Sequence, residues 1–201
     1  INFGNLSNVS NGSASTSNSV RGLMAGGYDG SSFLNVIDQL TLATGGTATD
    51  FGDLNNSVAN IAAGSNAHGG LNDGYQGTRP TPPIGGSGRV FFTGGSPDVN
   101  TIDTVNVNVL GNSSDFGNLS VGRRGAAGYS SLTRGMSGGG FDPSASNVID
   151  SFEMASRGNA ADFGDLTVAR LSSGASNQTR GLHMGGGTPT RGNVIDYVTI
   201  A

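Results

Sequence analysis

The chain has 201 residues, of which 36 are Gly and 12% carry a charge, against about 7% Gly and roughly 25% charged residues in an average soluble protein. It contains no Cys, which excludes disulfides and thiol chemistry. The net charge of -4, with no basic cluster beyond Arg123-Arg124, argues against nucleic acid as a partner, and no apolar run approaches the ~18 residues that span a bilayer, so membrane insertion is not expected.

A four-residue signature recurs along the chain. Phe-Gly-(Asp or Asn)-Leu begins at Phe3, Phe51, Phe116 and Phe163. The intervals between copies are 48, 65 and 47 residues. Self-similarity of this kind is typical of repeat architectures, so the sequence predicts four structural units.

Two further signatures accompany the first. One is Asn-(Val or Thr)-Ile-Asp, which ends at Asp38, Asp103, Asp150 and Asp196. The other is an Arg followed five and six residues later by Gly-Gly, and it begins at Arg21, Arg89, Arg134 and Arg180. From each of the first three Asp residues to the next signature Phe is 13 residues. This constant spacing indicates a fixed strand-turn-strand geometry.

In chain order, each unit predicts four short strands. The first is rich in small residues, as in 174–177, the second runs from Arg into the Gly pair, the third carries Ile-Asp, and the fourth surrounds the Phe-Gly signature. Alternating β-branched stretches such as 194–200 favour strands, and no window has a helical period. Units of about 47 residues with four strands are typical of β-propeller blades.

The expected fold is therefore all-β: one β-propeller domain over residues 1–201, with four blades of four short antiparallel strands. The blades are expected at about 11–54, 58–119, 123–166 and 170–201, and residues 1–6 are expected to complete the last blade. This pairing would close the ring and remove the exposed sheet edges. A segment of a larger ring is the alternative.

The repeats resemble the kelch family, in which the second strand ends in Gly-Gly and the fourth strand carries an aromatic residue. The resemblance covers essentially the whole chain, although Phe stands where kelch repeats usually carry Trp, and Tyr follows the Gly pair only at Tyr28. The amino-acid sequence of residues 179–187, 193–201 and 48–54 is more closely similar to the kelch-like repeats in structural proteins of marine, especially cyanobacterial, phages. This resemblance implies an appendage or tail-fibre domain of a virion.

The repeated charged residues suggest ion pairs. An Ile-Asp carboxylate is placed to meet an Arg of the same or a neighbouring blade. The expected result is a ring of buried pairs that joins Arg21, Arg89, Arg134 and Arg180 to Asp38, Asp103, Asp150 and Asp196. A residue present in every blade is more simply a requirement of the fold than a binding residue.

The largest departure from the repeat is an insertion in the second unit. Phe51 and Arg89 are 38 residues apart, against 17 or 18 for the corresponding residues of the other units. The inserted loop, residues 71–88, is stiffened by Pro and exposes Tyr75 and Arg79, which are predicted to bind a ligand because long loops in compact domains are often functional. A disordered or packing loop is the alternative.

A second candidate site lies in the loops that follow the Gly pairs, which share one face of a propeller. The residues predicted there as ligand-binding are Tyr28, Asp29, Asp98, Phe141 and Asp142. The three carboxylates are also weak candidates for a Ca²⁺ site or for contacts to sugar hydroxyls. Three solvated turn aspartates are the alternative.

Other metal or catalytic chemistry has little support in the sequence. His68 and His183 are the only histidines, and without Cys they make poor evidence for zinc or copper. Kelch-like oxidases use copper and a crosslinked Cys, so that class is excluded by the lack of Cys. Glycoside hydrolysis needs two flanking carboxylates, and no pair is marked for that role. Neither an enzyme nor a cofactor other than Ca²⁺ is expected.

Two functions from different classes are carried forward. The leading hypothesis is a non-enzymatic virion structural or appendage domain, located on a virion or outside the cell, that binds a host-surface glycan or other virion subunits. The alternative is an extracellular carbohydrate-binding or carbohydrate-cleaving propeller, in which aromatic side chains stack on sugar. A plainer possibility is a fibre spacer that binds only its own copies.

Overall fold

The protein, represented by a computed structural model, is described over residues 2–66, 88–187 and 190–200. Within these ranges it forms strands and no helix, and its four antiparallel sheets are arranged in a ring as a four-bladed β-propeller. The prediction of an all-β propeller with four blades is confirmed. The described residues contain no helix with the length and apolar character needed to cross a membrane.

Each sheet runs outward in chain order, and its first strand lies nearest the first strands of the neighbouring blades. Blade 1 contains β1 (Ala14–Ser17), β2 (Arg21–Ala25), β3 (Val36–Thr41) and β4 (Thr49–Asp53). Blade 2 contains β5 (Ala62–Ser65), β6 (Arg89–Thr93), β7 (Thr101–Asn106) and β8 (Ser114–Asn118). Blade 3 contains β9 (Ala127–Ser130), β10 (Arg134–Gly138), β11 (Val148–Glu153) and β12 (Ala161–Asp165). Blade 4 contains β13 (Ser173–Ser176), β14 (Arg180–Met184) and β15 (Ile195–Thr199).

The repeated Ile-Asp pair marks an irregularity in the third strand. In blade 1 the pairing of β3 with β4 shifts register between Ile37 and Asp38, and β7 and β11 shift at the same point. Such bulges bend a strand and redirect a side chain. In blades 1 to 3 the pair thus combines a buried Ile with a carboxylate that faces the adjoining blade, whereas Ile195 of blade 4 is exposed.

The Gly pair that ends the second strand lets the next blade come close. Gly26 and Gly27 have φ values of 65° and 115°, which L side chains rarely adopt. A Cβ on Gly26 would lie 2.5 Å from the carbonyl oxygen of Val58, and the Gly27 amide donates to that oxygen at 2.7 Å. A side chain at Gly26 would therefore push Val58 away from blade 1, and one at Gly27 would meet Ser13 Oγ at 2.7 Å.

Much of the apolar core lies between blades. Phe116 of β8 packs against Phe91 of its own blade, with ring centroids 4.8 Å apart, and against Phe152 of blade 3 at 5.5 Å. Phe51 of β4 belongs to a buried cluster that includes Val90 of blade 2. In blades 1 and 2 the aromatic residue of the outer strand is therefore buried at the boundary with the following blade, whereas Phe163 of blade 3 is exposed.

Blade 4 differs from the other three. Its sheet has three strands within the described ranges, and the expected pairing of residues 1–6 with β15 is not confirmed. Residues 2–6 contact blade 1, where the carbonyls of Phe3 and Asn5 accept the amides of Gly46 and Ala48, both at 2.8 Å. Tyr197 on β15 remains 64% exposed.

Candidate functional site

The four Ile-Asp carboxylates join neighbouring blades. Each accepts the backbone N–H of the residue that follows a Phe-Gly-x-Leu signature, and we call this contact the blade clamp. The clamps are Ser7–Asp38, Asn55–Asp103, Ser120–Asp150 and Thr167–Asp196, with N···O distances of 2.9, 3.0, 3.0 and 3.2 Å. The two signatures thus recur together because they meet at the boundaries between units.

Two clamps also contain an Arg. Arg123 Nη2 lies 2.9 Å from Asp150 Oδ2, with both side chains fully buried, and Arg170 Nη1 lies 2.8 Å from Asp196 Oδ2. Burial lowers the pKa of Arg123 below its ordinary value, and the charge of Asp150 offsets part of that effect. Burial opposes ionisation of Asp196, but hydrogen bonds from Thr167 and Arg170 outweigh it and leave its pKa below the usual value.

The predicted pairing of the second-strand Arg residues with these carboxylates is wrong. In the antiparallel register of blade 1, Arg21 stands opposite Thr41, whereas Asp38 stands opposite Met24. The two charged residues therefore lie at opposite ends of their strands. This register repeats in the other blades, so the failure is common to all four predicted pairs.

Three of these Arg residues instead bind a carbonyl in the next blade, just after its third strand. The contacts run from Arg21 to Val107 at 2.8 Å, from Arg134 to Ile200 at 3.1 Å, and from Arg89 to Met154. Arg180 stacks on Tyr197 of its own blade, with 4.8 Å between its guanidinium carbon and the ring centroid.

Sequence reasoning missed the Arg residues that do form buried pairs. Arg123 and Arg170 each lie four residues after the Leu of a Phe-Gly-x-Leu signature, whereas Ser10 and Val58 occupy that position in the other two units. A search for residues common to every unit passes over such a position. The useful signal was an Arg that recurs at the same offset in only two units.

The sequence-predicted ligand residues attach to opposite ends of the blades. Tyr28, Asp29, Asp98, Phe141 and Asp142 lie in connections between second and third strands. The insertion at 71–88 connects β5 to β6, a first-to-second-strand connection, which leaves an antiparallel sheet at the other end. Tyr75 and Arg79 fall outside the described residues. The strands that flank the insertion therefore end on the opposite side of the ring from the loops that carry the other five residues.

The loop after β2 presents an aromatic pair, which we call the Tyr28 surface. Tyr28 and Phe33 are 39% and 37% exposed, and their ring centroids are 5.5 Å apart. Asp29 is exposed beside them, and its Oδ1 accepts the amides of Ser31 and Ser32 at 2.7 and 2.8 Å. These backbone hydrogen bonds, that of Ser32 first, lower the pKa of Asp29 below its usual value. The loop thus holds a carboxylate next to two rings.

A second group lies in the corresponding loops of blades 2 and 3. Arg124 Nη1 lies 2.6 and 2.7 Å from the two carboxylate oxygens of Asp98. The same guanidinium lies over the ring of Phe141, with 4.6 Å between its carbon and the ring centroid. The backbone N–H of Asp142 donates to Ser144 at 2.9 Å. Asp98 is therefore engaged by an Arg, while Asp29 has only amide donors.

The structure does not gather the three loop carboxylates into one cation site. Among the described residues, no three acidic or His side chains lie close enough together to hold a metal ion, and this range includes Asp29, Asp98 and Asp142. Any ligand of these loops would meet the Tyr28 surface and the Arg124 group as separate contacts.

The inner strands line a cavity of ≈ 670 Å³. A Ser ends each of them, at Ser17, Ser65, Ser130 and Ser176. Ser130 Oγ donates to the carbonyl of Ser65 at 2.8 Å, and Ser176 Oγ donates to the carbonyl of Ser130 at 2.9 Å. This hydroxyl ladder links successive inner strands, and its members also face the cavity.

A buried polar chain joins blades 3 and 4 beside this cavity. Nε2 of His183, which is fully buried, lies 2.8 Å from the hydroxyl of Tyr129, and its Nδ1 lies 3.2 Å from Ser172 Oγ. Burial lowers the pKa of His183 to about 4, with a further contribution from Arg170. Burial also raises the pKa of Tyr129. Both groups are therefore neutral near pH 7 and act as hydrogen-bonding packing residues.

No protein-family model matches the chain, and no curated protein matches its sequence. The candidate surfaces are accordingly assigned from geometry alone. Of these, the Tyr28 surface has the most exposed aromatic area next to an ionised carboxylate, so it is the principal candidate.

Proposed function

We propose that this chain is a non-enzymatic structural or appendage domain of a phage virion, similar to a tail-fibre module, that binds a host-surface glycan or another virion subunit. Its place would be on the virion or outside the cell. The similarity of the repeat sequences to those of phage structural proteins supports this assignment, and the propeller fold is compatible with it.

The observation that carries the proposal is the blade clamp, which recurs at all four Ile-Asp carboxylates. A hydrogen bond to a charged group contributes about 1.5–3 kcal/mol. Repeated at each boundary, it makes a stiff scaffold out of short strands and small residues. Such a scaffold suits a part that must hold its loops in place at the end of an appendage.

The Tyr28 surface supports a binding role for these loops. Two neighbouring rings offer an apolar face for the C–H side of a sugar ring, and Asp29 offers acceptors for sugar hydroxyls. The same features suit a protein loop of another subunit. Of these two ligands, a glycan is tested first.

We also propose that residues 2–6 complete blade 4 and close the ring. The carbonyls of Phe3 and Asn5 bind blade 1 as those of Phe51 and Asp53 bind Gly111 and Ser113 of blade 2. In blade 1, residues 51–53 also pair with β3. By the same register, residues 2–5 would pair with 194–196.

An extracellular carbohydrate-binding or carbohydrate-cleaving propeller is the second candidate. The observation that favours it is the same pairing of exposed rings with the Asp29 carboxylate. Release of reducing ends from a polysaccharide would distinguish cleavage from binding.

The deciding experiment measures binding of the domain to candidate host cells and their isolated surface glycans, with calcium and with chelator. Tyr28→Ala and Phe33→Ala should reduce binding at least tenfold. Leu110→Ala, which also changes an exposed side chain but at the other end of the blades, is the matched control. Deletion of 71–88 tests the other surface.

Each result decides between the surfaces. Loss of binding in the Tyr28 and Phe33 variants alone would establish the Tyr28 surface, and loss on deletion alone would move the site to the insertion. Equal binding by all variants would reject both surfaces, and a requirement for calcium would indicate that a cation takes part in binding the glycan.

A further inference from the structure

Asp38 stands apart from the other three clamp carboxylates. It is buried, with 7% of its surface exposed, and its Oδ2 accepts the amide of Ser7 at 2.9 Å. Its Oδ1 is also buried and has no hydrogen-bond partner within the described part of the chain. A buried carboxylate without compensation is costly, because water no longer solvates its charge.

Each of the other clamps supplies a side-chain donor. Asn55 Nδ2 donates to Asp103 at 2.6 Å, Arg123 to Asp150 at 2.9 Å, and Arg170 to Asp196 at 2.8 Å. Asp150 also keeps one oxygen without a partner, but the charge of Arg123 balances it. Asp38 therefore has neither a side-chain amide donor, as Asp103 has, nor a cation, as Asp150 and Asp196 have.

Ser10 occupies the place of the missing cation. It lies four residues after Leu6, as Arg123 lies four residues after Leu119. A Cβ on Gly27 would meet Ser10 Cβ at 2.9 Å, and a Cβ on the corresponding Gly140 would meet Arg123 Cδ at 3.3 Å. The two positions are thus equivalent in space as well as in sequence.

A small cavity lies at this place. Its volume is ≈ 10 Å³, and Asp38, Ser10 and Asn8 line it together with apolar side chains such as Leu6 and Leu34. That volume admits one water-sized occupant. The oxygen-bearing side chains that line it are those of Asp38, Ser10 and Asn8, and Ser10 Oγ also lies 2.8 Å from Ser13 Oγ.

We propose that this cavity is a site for a single small monovalent cation of the size of Na⁺, held by Asp38 at the boundary of blade 1. A lone carboxylate among neutral oxygens balances one positive charge, which is the charge that Arg123 and Arg170 bring to the equivalent clamps. The cavity is too small for a free organic cation such as choline. The ion stabilises the fold in the way that the guanidinium groups do at blades 3 and 4.

The test is thermal unfolding of the whole chain in NaCl and in choline chloride at equal ionic strength and constant pH. An ion that binds only the folded state raises the Tm, by about 5–10 °C for an affinity near 1 mM at 0.1 M salt. The wild type should show this difference. Asp38→Asn should abolish it, and Ser10→Arg, which brings its own cation, should abolish it while raising the Tm in choline chloride.

Asp150→Asn is the matched control, because the equivalent site there already holds Arg123; it should lower the Tm and keep the difference between salts. Equal Tm values for the wild type in the two salts would overturn the proposal, since a water molecule would then fill the cavity. A salt difference that survives in Ser10→Arg would place the ion elsewhere and would equally overturn it. Ser10→Arg keeps the test decisive if Asp38→Asn does not fold.

Discussion

Asn55 binds Asp103 twice, through its backbone N–H at 3.0 Å and through its side-chain Nδ2 at 2.6 Å. The two residues are 48 positions apart in the chain, and they join the segment that leaves blade 1 to the third strand of blade 2. One carboxylate thus satisfies a backbone and a side-chain donor at a boundary between units. The contact from a backbone N–H to the carboxylate recurs at all four clamps, and an Arg also binds the carboxylate at blades 3 and 4.

Loss of a clamp should destabilise the whole ring. Asp103→Ala leaves both donors of Asn55 without an acceptor, so we expect the free energy of unfolding to fall by about 2–4 kcal/mol. Urea denaturation measures the change. Asp115→Ala, at an exposed position of β8, is the control and should stay within about 0.5 kcal/mol of the wild type. Similar losses in the two variants would show that the clamp is not a principal stabilising contact.

The Arg123–Asp150 pair should be strongly coupled. Arg123→Met leaves a buried carboxylate alone, with an expected cost of about 3–5 kcal/mol, whereas the double variant with Asp150→Asn should lose less than the sum of the two single variants. The same cycle on Arg21 and Asp38 should give a coupling energy near zero, because their strand positions are far apart. Comparable coupling in the two cycles would contradict the pairing described above.

Acid should weaken the boundary between blades 3 and 4 through His183. Its pKa is about 4 in the folded chain, against an ordinary value of 6.5. As pH falls between these values, the unfolded chain takes up the proton first, so stability is complete above the ordinary pKa and is lost toward the lower one. The loss is on the order of 3 kcal/mol.

Unfolding free energies measured between pH 7 and 4 check this prediction. His183→Gln cannot take up the proton and should flatten the decline in that interval. An unchanged slope in the variant would assign the acid sensitivity to other groups.

Ring closure should bring Ser17 and Ser176 together. Ser176 already binds Ser130 on its other side through the hydroxyl ladder. Because the chain has no Cys, the variant Ser17→Cys with Ser176→Cys can be joined specifically by a short bismaleimide. We expect an intramolecular crosslink in the monomer.

The matched control for closure is Ser130→Cys with Ser176→Cys, whose crosslink tests reactivity at an observed contact. A crosslink in the control but not in the Ser17 variant would reject closure. Dimers joined through Ser17 and Ser176 would instead indicate that blade 4 binds blade 1 of another copy.

Much of the architecture could be predicted from repeats, because every blade reuses the same turn glycines, blades 1 to 3 the same buried Ile, and blades 1 and 2 the same buried outer-strand Phe. Positions such as Gly26, Ile37 and Phe51 therefore recur with constant spacing. The clamp partners could not be predicted in this way. Ser7, Asn55, Ser120 and Thr167 contribute a backbone N–H, and that contribution leaves almost no trace in residue identity.

Even less of the candidate sites could be predicted from the sequence. Tyr28 and Asp29 were predicted from their loop, but the pairing with Phe33 depends on how that loop folds back. The end of the blade from which the insertion leaves depends on strand connections rather than on residue types. Whether Asp98 is free or bound to Arg124 likewise depends on two loops that are 26 residues apart.

For this chain, local patterns were enough to establish strands, blade number and the positions of tight turns, because these follow from alternation, glycine and repeat length. The partners of each charged side chain were settled only by the packing of one blade on the next. A carboxylate has the same identity in all four units, but its neighbour is an amide at Asp103, a guanidinium at Asp150 and Asp196, and a small cavity at Asp38. Those differences arise across blade boundaries, where residues distant in sequence meet and where burial decides which charges must be balanced.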